Sequence, residues 1–197
     1  MYGDPHIVTL DGHKYTFNGK GEFLLIATLD GSFVLQGRMA KAPGGTGNMN
    51  DAATVFTALV AKENNSDTVQ IELSDAFKMR INGDVYAFDV VNEETFNNVL
   101  VSRGENNSYS ATFSSGIYIE ARVAQTSSGP YISTFIVSMP KRFRNRVKGL
   151  MGNYNGDISD DFVPNGGGEP LPLNSSLEEL HWNFGVTCEY YTISDLE

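Results

Sequence analysis

Short segments rich in β-branched and aromatic residues recur along the chain, and glycine, asparagine and aspartate separate them. Val, Ile, Thr, Phe and Tyr fit the pleated surface of a sheet, whereas the separating residues favour turns. Many short strands at this spacing indicate an antiparallel all-β domain, and we predict an antiparallel β-sandwich. The predicted strands are His6–Leu10, His13–Phe17, Glu22–Leu29, Ser32–Arg38, Ala53–Lys62, Thr68–Leu73, Lys78–Ile81, Val85–Asp89, Phe96–Ser102, Tyr109–Phe113, Ile117–Arg122 and Tyr131–Met139.

One hairpin and one helix can be assigned to particular residues. The pair Asn82-Gly83 lies between two predicted strands and supplies the positive φ angles of a primed turn. Near the C-terminus, Ser175 or Ser176 can cap a short helix whose first turn holds two glutamates, where the helix dipole favours them. The glycine-rich stretches at 41–51 and 164–172 are loops too short to link domains. We therefore predict a single domain over residues 1–197.

The charge balance excludes some classes of partner. The chain has 24 acidic and 14 basic residues and a formal charge of -10, which repels phosphate backbones and favours cations or basic partners. Nucleic acid is therefore not expected, and no apolar run approaches the roughly 18 residues needed for membrane insertion. The single cysteine, Cys188, rules out an internal disulfide, while Asn-X-Ser sequons at Asn64, Asn106 and Asn174 favour the secretory pathway.

One loop concentrates short side chains that carry oxygen. Its members are Asn153, Asn155, Asp157, Ser159, Asp160 and Asp161. Oxygen ligands at alternate positions, with Gly156 allowing the backbone to curl, suit Ca²⁺, which takes six to eight oxygens. The spacing is not that of an EF-hand, because Pro164 stands where the bidentate glutamate would be.

A solvated acidic turn is the alternative interpretation of this loop. Apolar residues enclose the loop, however, and adjacent carboxylates held near a third would repel each other without a cation. Mg²⁺ demands stricter octahedral geometry, and zinc favours the Cys or His ligands that the loop lacks. Calcium is the predicted ion.

Two long motifs at opposite ends of the chain resemble a known family. The stretch from Gly3 to Gly19, GDPHIVTLDGHKYTFNG, and the stretch from Gly149 to Phe162, GLMGNYNGDISDDF, are similar to the two ends of a von Willebrand factor type D domain. Met151 stands where that family usually has a cysteine. The chain therefore resembles the cysteine-poor branch found in membrane mucins and sushi-domain-containing proteins.

The resemblance implies a calcium-containing β-sandwich whose ion joins the first strand to the late loop. The implied ligands are Asp11, Asn153, Asn155, the backbone carbonyl of Asp157, Asp160 and Asp161. It further implies a non-catalytic extracellular or cell-surface module that serves adhesion, assembly or a mucin-like barrier. Its expected partners are other domains of a parent protein, extracellular proteins or glycans.

The Gly-Asp-Pro-His motif carries a second expectation, self-cleavage. The Asp4–Pro5 bond cleaves spontaneously in several type D domains, and the resemblance implies that it can do so here. Asp4 would act as the intramolecular nucleophile, the Pro5 nitrogen as the leaving group and His6 as a proton donor or orienting group. The alternatives are a turn entering the first strand, and a module whose main role is this cleavage.

Two further features have competing interpretations. The stretch from Lys141 to Lys148 holds five positive charges and is either a binding site for a sulfated glycan or acidic partner, or a solvated strand edge. Carboxylate pairs such as Glu93-Glu94 or Asp160-Asp161 raise the remote alternative of a β-sandwich glycoside hydrolase. Neighbouring residues of a strand point to opposite faces, which disfavours that alternative.

Overall fold

The computed structural model describes residues 5–42, 53–105, 107–127 and 129–190, and its architecture is antiparallel all-β, as predicted. The strands are β1 (His6–Val8), β2 (Lys14–Thr16), β3 (Gly21–Thr28), β4 (Phe33–Lys41), β5 (Thr54–Glu63), β6 (Val69–Leu73), β7 (Phe77–Ile81), β8 (Asp84–Tyr86), β9 (Glu93–Phe96), β10 (Val99–Gly104), β11 (Ser108–Phe113), β12 (Tyr118–Thr126), β13 (Gly129–Ser138), β14 (Val147–Lys148) and β15 (Glu189–Tyr190). Helix α1 spans Leu177–Asn183.

The strands form one large curled sheet and one small hairpin. The large sheet runs β14-β3-β4-β5-β13-β12-β11-β10-β9, with β6, β7 and β8 branching from β5 and β15 pairing with β3. Strands β1 and β2 form a separate antiparallel pair. Aromatic rings from strands that are not neighbours meet inside: Phe33 and Phe113 lie 5.4 Å apart, and Phe77 and Tyr109 lie 4.7 Å apart. The sheet therefore folds over on itself and encloses a common core.

The predicted turn and helix are both confirmed. Asn82 and Gly83 have φ angles of 49° and 86° and connect β7 to β8. Ser176 caps α1, where its hydroxyl accepts from the Glu179 amide and the Glu179 carboxylate accepts from the Ser176 amide. No helix in the ranges given above is long and apolar enough to cross a membrane.

Apart from shifted strand ends, such as β1 ending at Val8 and β8 at Tyr86, three strands differ from the sequence-based expectation. The predicted strand Phe96–Ser102 is divided between β9 and β10, because Asn98 adopts a φ of 58° that asparagine tolerates in a tight turn. Strands β14 and β15 were not predicted. Each has only two residues and is defined by its pairing with β3, so neither shows a period in the sequence.

Strand β3 positions the late loop from Gly149 onwards. The Leu150 and Met151 amides donate to the Leu24 and Leu25 carbonyls, each at 3.0 Å. Gly149 lies flat against β3, where a Cβ would meet the Leu25 carbonyl oxygen at 2.5 Å. At the end of the loop, Phe162 is fully buried against Tyr15 and Phe184. The loop is therefore held at both ends by the core.

Candidate metal centre

The turn between β1 and β2 presents Asp11. The Thr9 amide donates to the His13 carbonyl at 2.8 Å, and Gly12 closes the turn with a φ of 98° and a hydrogen bond from its amide to the Thr9 carbonyl. The Leu10 amide donates to the Met151 carbonyl at 2.9 Å. This hydrogen bond brings the turn against the late loop.

Asp11 contacts that loop with both carboxylate oxygens. Oδ2 accepts from the Asn155 amide and Oδ1 from the Gly156 amide, each at 2.8 Å. Hydrogen bonds from backbone N–H groups to a carboxylate are among the stronger ones in proteins. The structure therefore joins two segments that lie 144 residues apart in sequence.

Asp160 lies across the same loop from the two asparagines. Asn153 Nδ2 lies 3.0 Å from Asp160 Oδ1, and Asn155 Nδ2 lies 2.9 and 2.8 Å from the two carboxylate oxygens. Each carboxylate oxygen has two lone pairs and can accept a further ligand. Rotation of either asparagine amide by half a turn would present an oxygen to the same place, at the loss of the hydrogen bond that its Oδ1 accepts from the Asn155 or Asp157 backbone amide.

Asp161 is the most buried acidic residue of the loop, with only 2% of its surface exposed. The Thr9 hydroxyl donates to Asp161 Oδ2 at 2.6 Å, whereas Oδ1 is buried and has no hydrogen-bond partner. Gly152 makes room for this oxygen, since a Cβ there would lie 2.1 Å from Oδ1. A buried carboxylate oxygen without a donor is unfavourable unless something positive faces it.

Thr9 is a residue of this centre that sequence reasoning missed. Its position two residues before Asp11 was the available signal, because residues of one tight turn lie close together.

The surroundings of Asp161 disfavour its ionised form. Burial is the main cause that raises the pKa of the Asp161 carboxyl to about 6, and the negative charges of Asp11 and Asp160 add to this. Two groups act in the opposite direction and lower the pKa of Asp161. They are the Thr9 hydroxyl and the backbone amide of Asn153, although the Asn153 amide lies outside hydrogen-bond geometry. The charges of Asp11 and Asp160 are thus near enough to disfavour a negative charge on Asp161.

The side chain of Asp157 contacts Ser159 of the same loop. Its Oδ1 accepts from the amide and the hydroxyl of Ser159, at 2.9 and 2.7 Å, and these hydrogen bonds lower the pKa of Asp157. Both residues are exposed. The Asp157 carboxylate therefore caps the short 3₁₀ turn Ile158–Asp160 through Oδ1.

The donor set fits a hard cation better than a soft one. In the chain as described, no three His, Cys, Asp or Glu side chains come together as a ready-made metal site. The available donors are instead carboxylate, amide and backbone oxygens, the kinds of ligand that calcium takes, and Asp161 Oδ1 has no hydrogen-bond donor among the described residues.

Asp161 should make the calcium-free protein sensitive to pH. Its native pKa of about 6 exceeds the ordinary aspartate value of 3.8, so the native state binds more protons between these values and loses stability as pH rises through them. In chelator, Asp161→Asn should gain roughly 1–3 kcal/mol relative to the unsubstituted protein between about pH 4 and pH 7. Urea unfolding at several pH values measures this. A difference that stays constant over the window would contradict the assignment.

The Gly-Asp-Pro-His motif is only partly described. Asp4 lies outside the described residues. Pro5 is buried and its carbonyl accepts from the Phe17 amide at 3.2 Å, while His6 is exposed with Nδ1 3.0 Å from the Thr16 hydroxyl. The roles assigned to Asp4, Pro5 and His6 in self-cleavage stay predictions.

The carboxylate pair Glu93-Glu94 does not converge. Glu93 contacts the Ser102 hydroxyl on β10, whereas Glu94 accepts from the Tyr86 hydroxyl on β8. The two side chains therefore serve different strands, and this geometry gives the hydrolase alternative no support.

Comparisons with known proteins agree with the two motifs. The family model of the von Willebrand factor type D domain matches residues 1–167. Human Mucin-4 is 39% identical over 205 aligned residues, which cover 96% of this chain, and human Sushi domain-containing protein 2 is 31% identical over 199 residues, which cover 99%. Protein mesh of Bombyx mori is 33% identical over 215 residues and 100% of the chain.

The chain corresponds to a small part of each of these relatives. It spans 4% of human Mucin-4, 23% of Sushi domain-containing protein 2 and 13% of Protein mesh. From the family match over residues 1–167 and the relatives of similar sequence, this chain belongs to the von Willebrand factor type D domain family.

Proposed function

We propose that one calcium ion binds between the β1–β2 turn and the late loop, and that the domain is a non-catalytic module of a larger extracellular protein. The proposed ligands are Asp11, Asn153, Asn155, the Asp157 carbonyl, Asp160 and Asp161. The observation that carries the proposal is the buried Asp161 oxygen without a donor, close to two further carboxylates.

The ion would act as a structural staple. It would neutralise the mutual repulsion of the three carboxylates and join residues about 145 positions apart in sequence, a contact that already involves Asp11. Closing so long a loop costs conformational entropy when the chain folds. An ion that binds only the folded state offsets part of this cost. The chain's own residues supply the shape: Gly12, Gly152 and Gly156 let the backbone curl around the donors.

The biological role proposed for the module is adhesion, assembly or a mucin-like barrier. Support comes from the family match and from relatives named as mucins, within which the chain would be one domain among others. Interaction with neighbouring domains or other extracellular proteins follows from that setting. The alternative of a self-processing module rests on the Asp4–Pro5 motif alone, because Asp4 lies outside the described residues, and it stays a prediction.

A calcium titration followed by isothermal calorimetry tests the proposed site. The unsubstituted protein should bind one calcium ion per chain, and Asp161→Asn should weaken binding by at least about tenfold because it replaces a charged ligand with a neutral one. Asp84→Asn is the matched control, since Asp84 is exposed at the start of β8 and its replacement should leave the affinity unchanged. Equal affinities of the two variants would contradict the proposed ligand set.

A further inference from the structure

The stretch after β13 carries a dense group of exposed cations. We define the basic ridge as Lys141, Arg142, Arg144, Arg146 and Lys148, all of which are exposed. They lie in a 3₁₀ turn over Lys141–Phe143 and then along the segment that leads into β14. In a chain with a formal charge of -10, this concentration of positive charge is a local exception.

Within the described part of the chain, the cations of the basic ridge do not stabilise the fold through ion pairs. Elsewhere on the sheet, Arg38, Arg80 and Arg122 pair with glutamates at 2.6 to 2.9 Å. No cation of the basic ridge lies within 4.0 Å of a carboxylate among the residues that the structure describes. Their charges are therefore available to an external anion.

Two of the arginines are held in place by aromatic rings. The guanidinium carbon of Arg142 lies 4.9 Å from the centre of the Phe143 ring, and that of Arg144 lies 5.6 Å from the centre of the Tyr154 ring. The Arg142 guanidinium also donates to the Ser115 carbonyl. Stacking on a ring restricts the guanidinium before binding, which reduces the entropy lost when an anion is bound.

The geometry points to a sulfated glycan, and we propose that the basic ridge binds one. A guanidinium offers paired N–H donors to two oxygens of one anionic group, and a row of cations matches the repeated charges of a linear polyanion. A protein partner would need an apolar anchor at the centre of its interface. The apolar residues between the cations of the basic ridge are Phe143, which is half-buried, and Val147, which is buried. Charged side chains therefore make up most of the exposed surface here.

Immobilised heparin is the probe for this proposal, with calcium constant in all buffers. Although the chain as a whole is acidic, it should bind heparin at about 50 mM NaCl, and the affinity should fall roughly 10- to 100-fold by about 200 mM NaCl because counterions are released on binding. Absence of binding at low salt would overturn the proposal.

Two triple variants with the same change in charge locate the binding. Arg144→Gln/Arg146→Gln/Lys148→Gln should weaken heparin binding by at least about tenfold. Lys14→Gln/Lys20→Gln/Arg103→Gln removes three exposed cations elsewhere and should change it by less than about threefold. Similar losses in both variants would show that diffuse charge is responsible and would overturn the assignment. Thermal unfolding confirms that each variant is folded.

Two further ligands test the chemistry of the partner. Desulfated heparin should bind much more weakly than heparin, because the proposed contacts are made to sulfate groups. Polyglutamate of similar length should also bind more weakly, since its carboxylates are spaced differently along the chain. Equal binding to polyglutamate would reject the glycan in favour of an acidic protein segment.

Discussion

Removal of calcium should lower the melting temperature of this domain by roughly 5–15 °C at neutral pH. An ion that binds only the folded state contributes RT ln(1 + [L]/Kd), which is about 2–4 kcal/mol when calcium exceeds its dissociation constant by one hundred- to one thousandfold. For a chain of 197 residues, each kcal/mol corresponds to roughly 2–4 °C. Scanning calorimetry in calcium and then in chelator measures the difference.

The Asp11→Asn variant should lose most of this response. Asp11 is the only proposed ligand from the β1–β2 turn, and in the structure its two oxygens contact the Asn155 and Gly156 amides of the late loop. In calcium the variant should therefore melt close to the chelated protein. Asp84→Asn should keep the full shift, because Asp84 is exposed and lies on β8, in a different sheet from β1 and β2. Identical melting curves with and without calcium would refute the proposed staple.

The second large effect is expected at Gly149, independently of any metal. Gly149→Ala should lower the free energy of unfolding by roughly 3–5 kcal/mol, enough to reduce the yield of soluble protein. The φ of Gly149 is 126°, a region that L-residues rarely adopt, and a Cβ would lie 2.5 Å from the Leu25 carbonyl oxygen and 2.8 Å from its carbon. These are backbone atoms of β3 that cannot move without disturbing the sheet.

Gly168 offers a matched control for this substitution. Its φ is 129°, nearly the same as that of Gly149, but nothing lies within 4 Å of the position that a Cβ would occupy. Gly168→Ala therefore carries the backbone strain without the clash and should cost about 1–2 kcal/mol. Urea unfolding in chelator compares the two variants. If they were equally stable, the close packing of the late loop on β3 would be wrong.

Much of the fold could be predicted from local sequence because its signals are local. The alternation of β-formers with turn residues indicates strands, Asn82-Gly83 indicates a primed turn, and a capping serine indicates the start of α1, and each was confirmed. Cys188 is buried, and this burial raises the pKa of its thiol to about 12. Strands β14 and β15 could not be predicted, since two residues have no period and become strands only by pairing with β3.

By itself, the sequence determined the strand-forming character of the chain, the acidic loop and the family motifs at its two ends. The tertiary structure alone decided that Thr9 bonds to Asp161, that one Asp161 oxygen is buried without a donor, and that Gly149 and Gly152 leave no room for a side chain. It also decided that the cations from Lys141 to Lys148 form no ion pair with any described residue, while other arginines pair with glutamates. The physical reason is that propensity and motif depend on neighbours in sequence, whereas desolvation, charge pairing and steric exclusion depend on residues that only folding brings together.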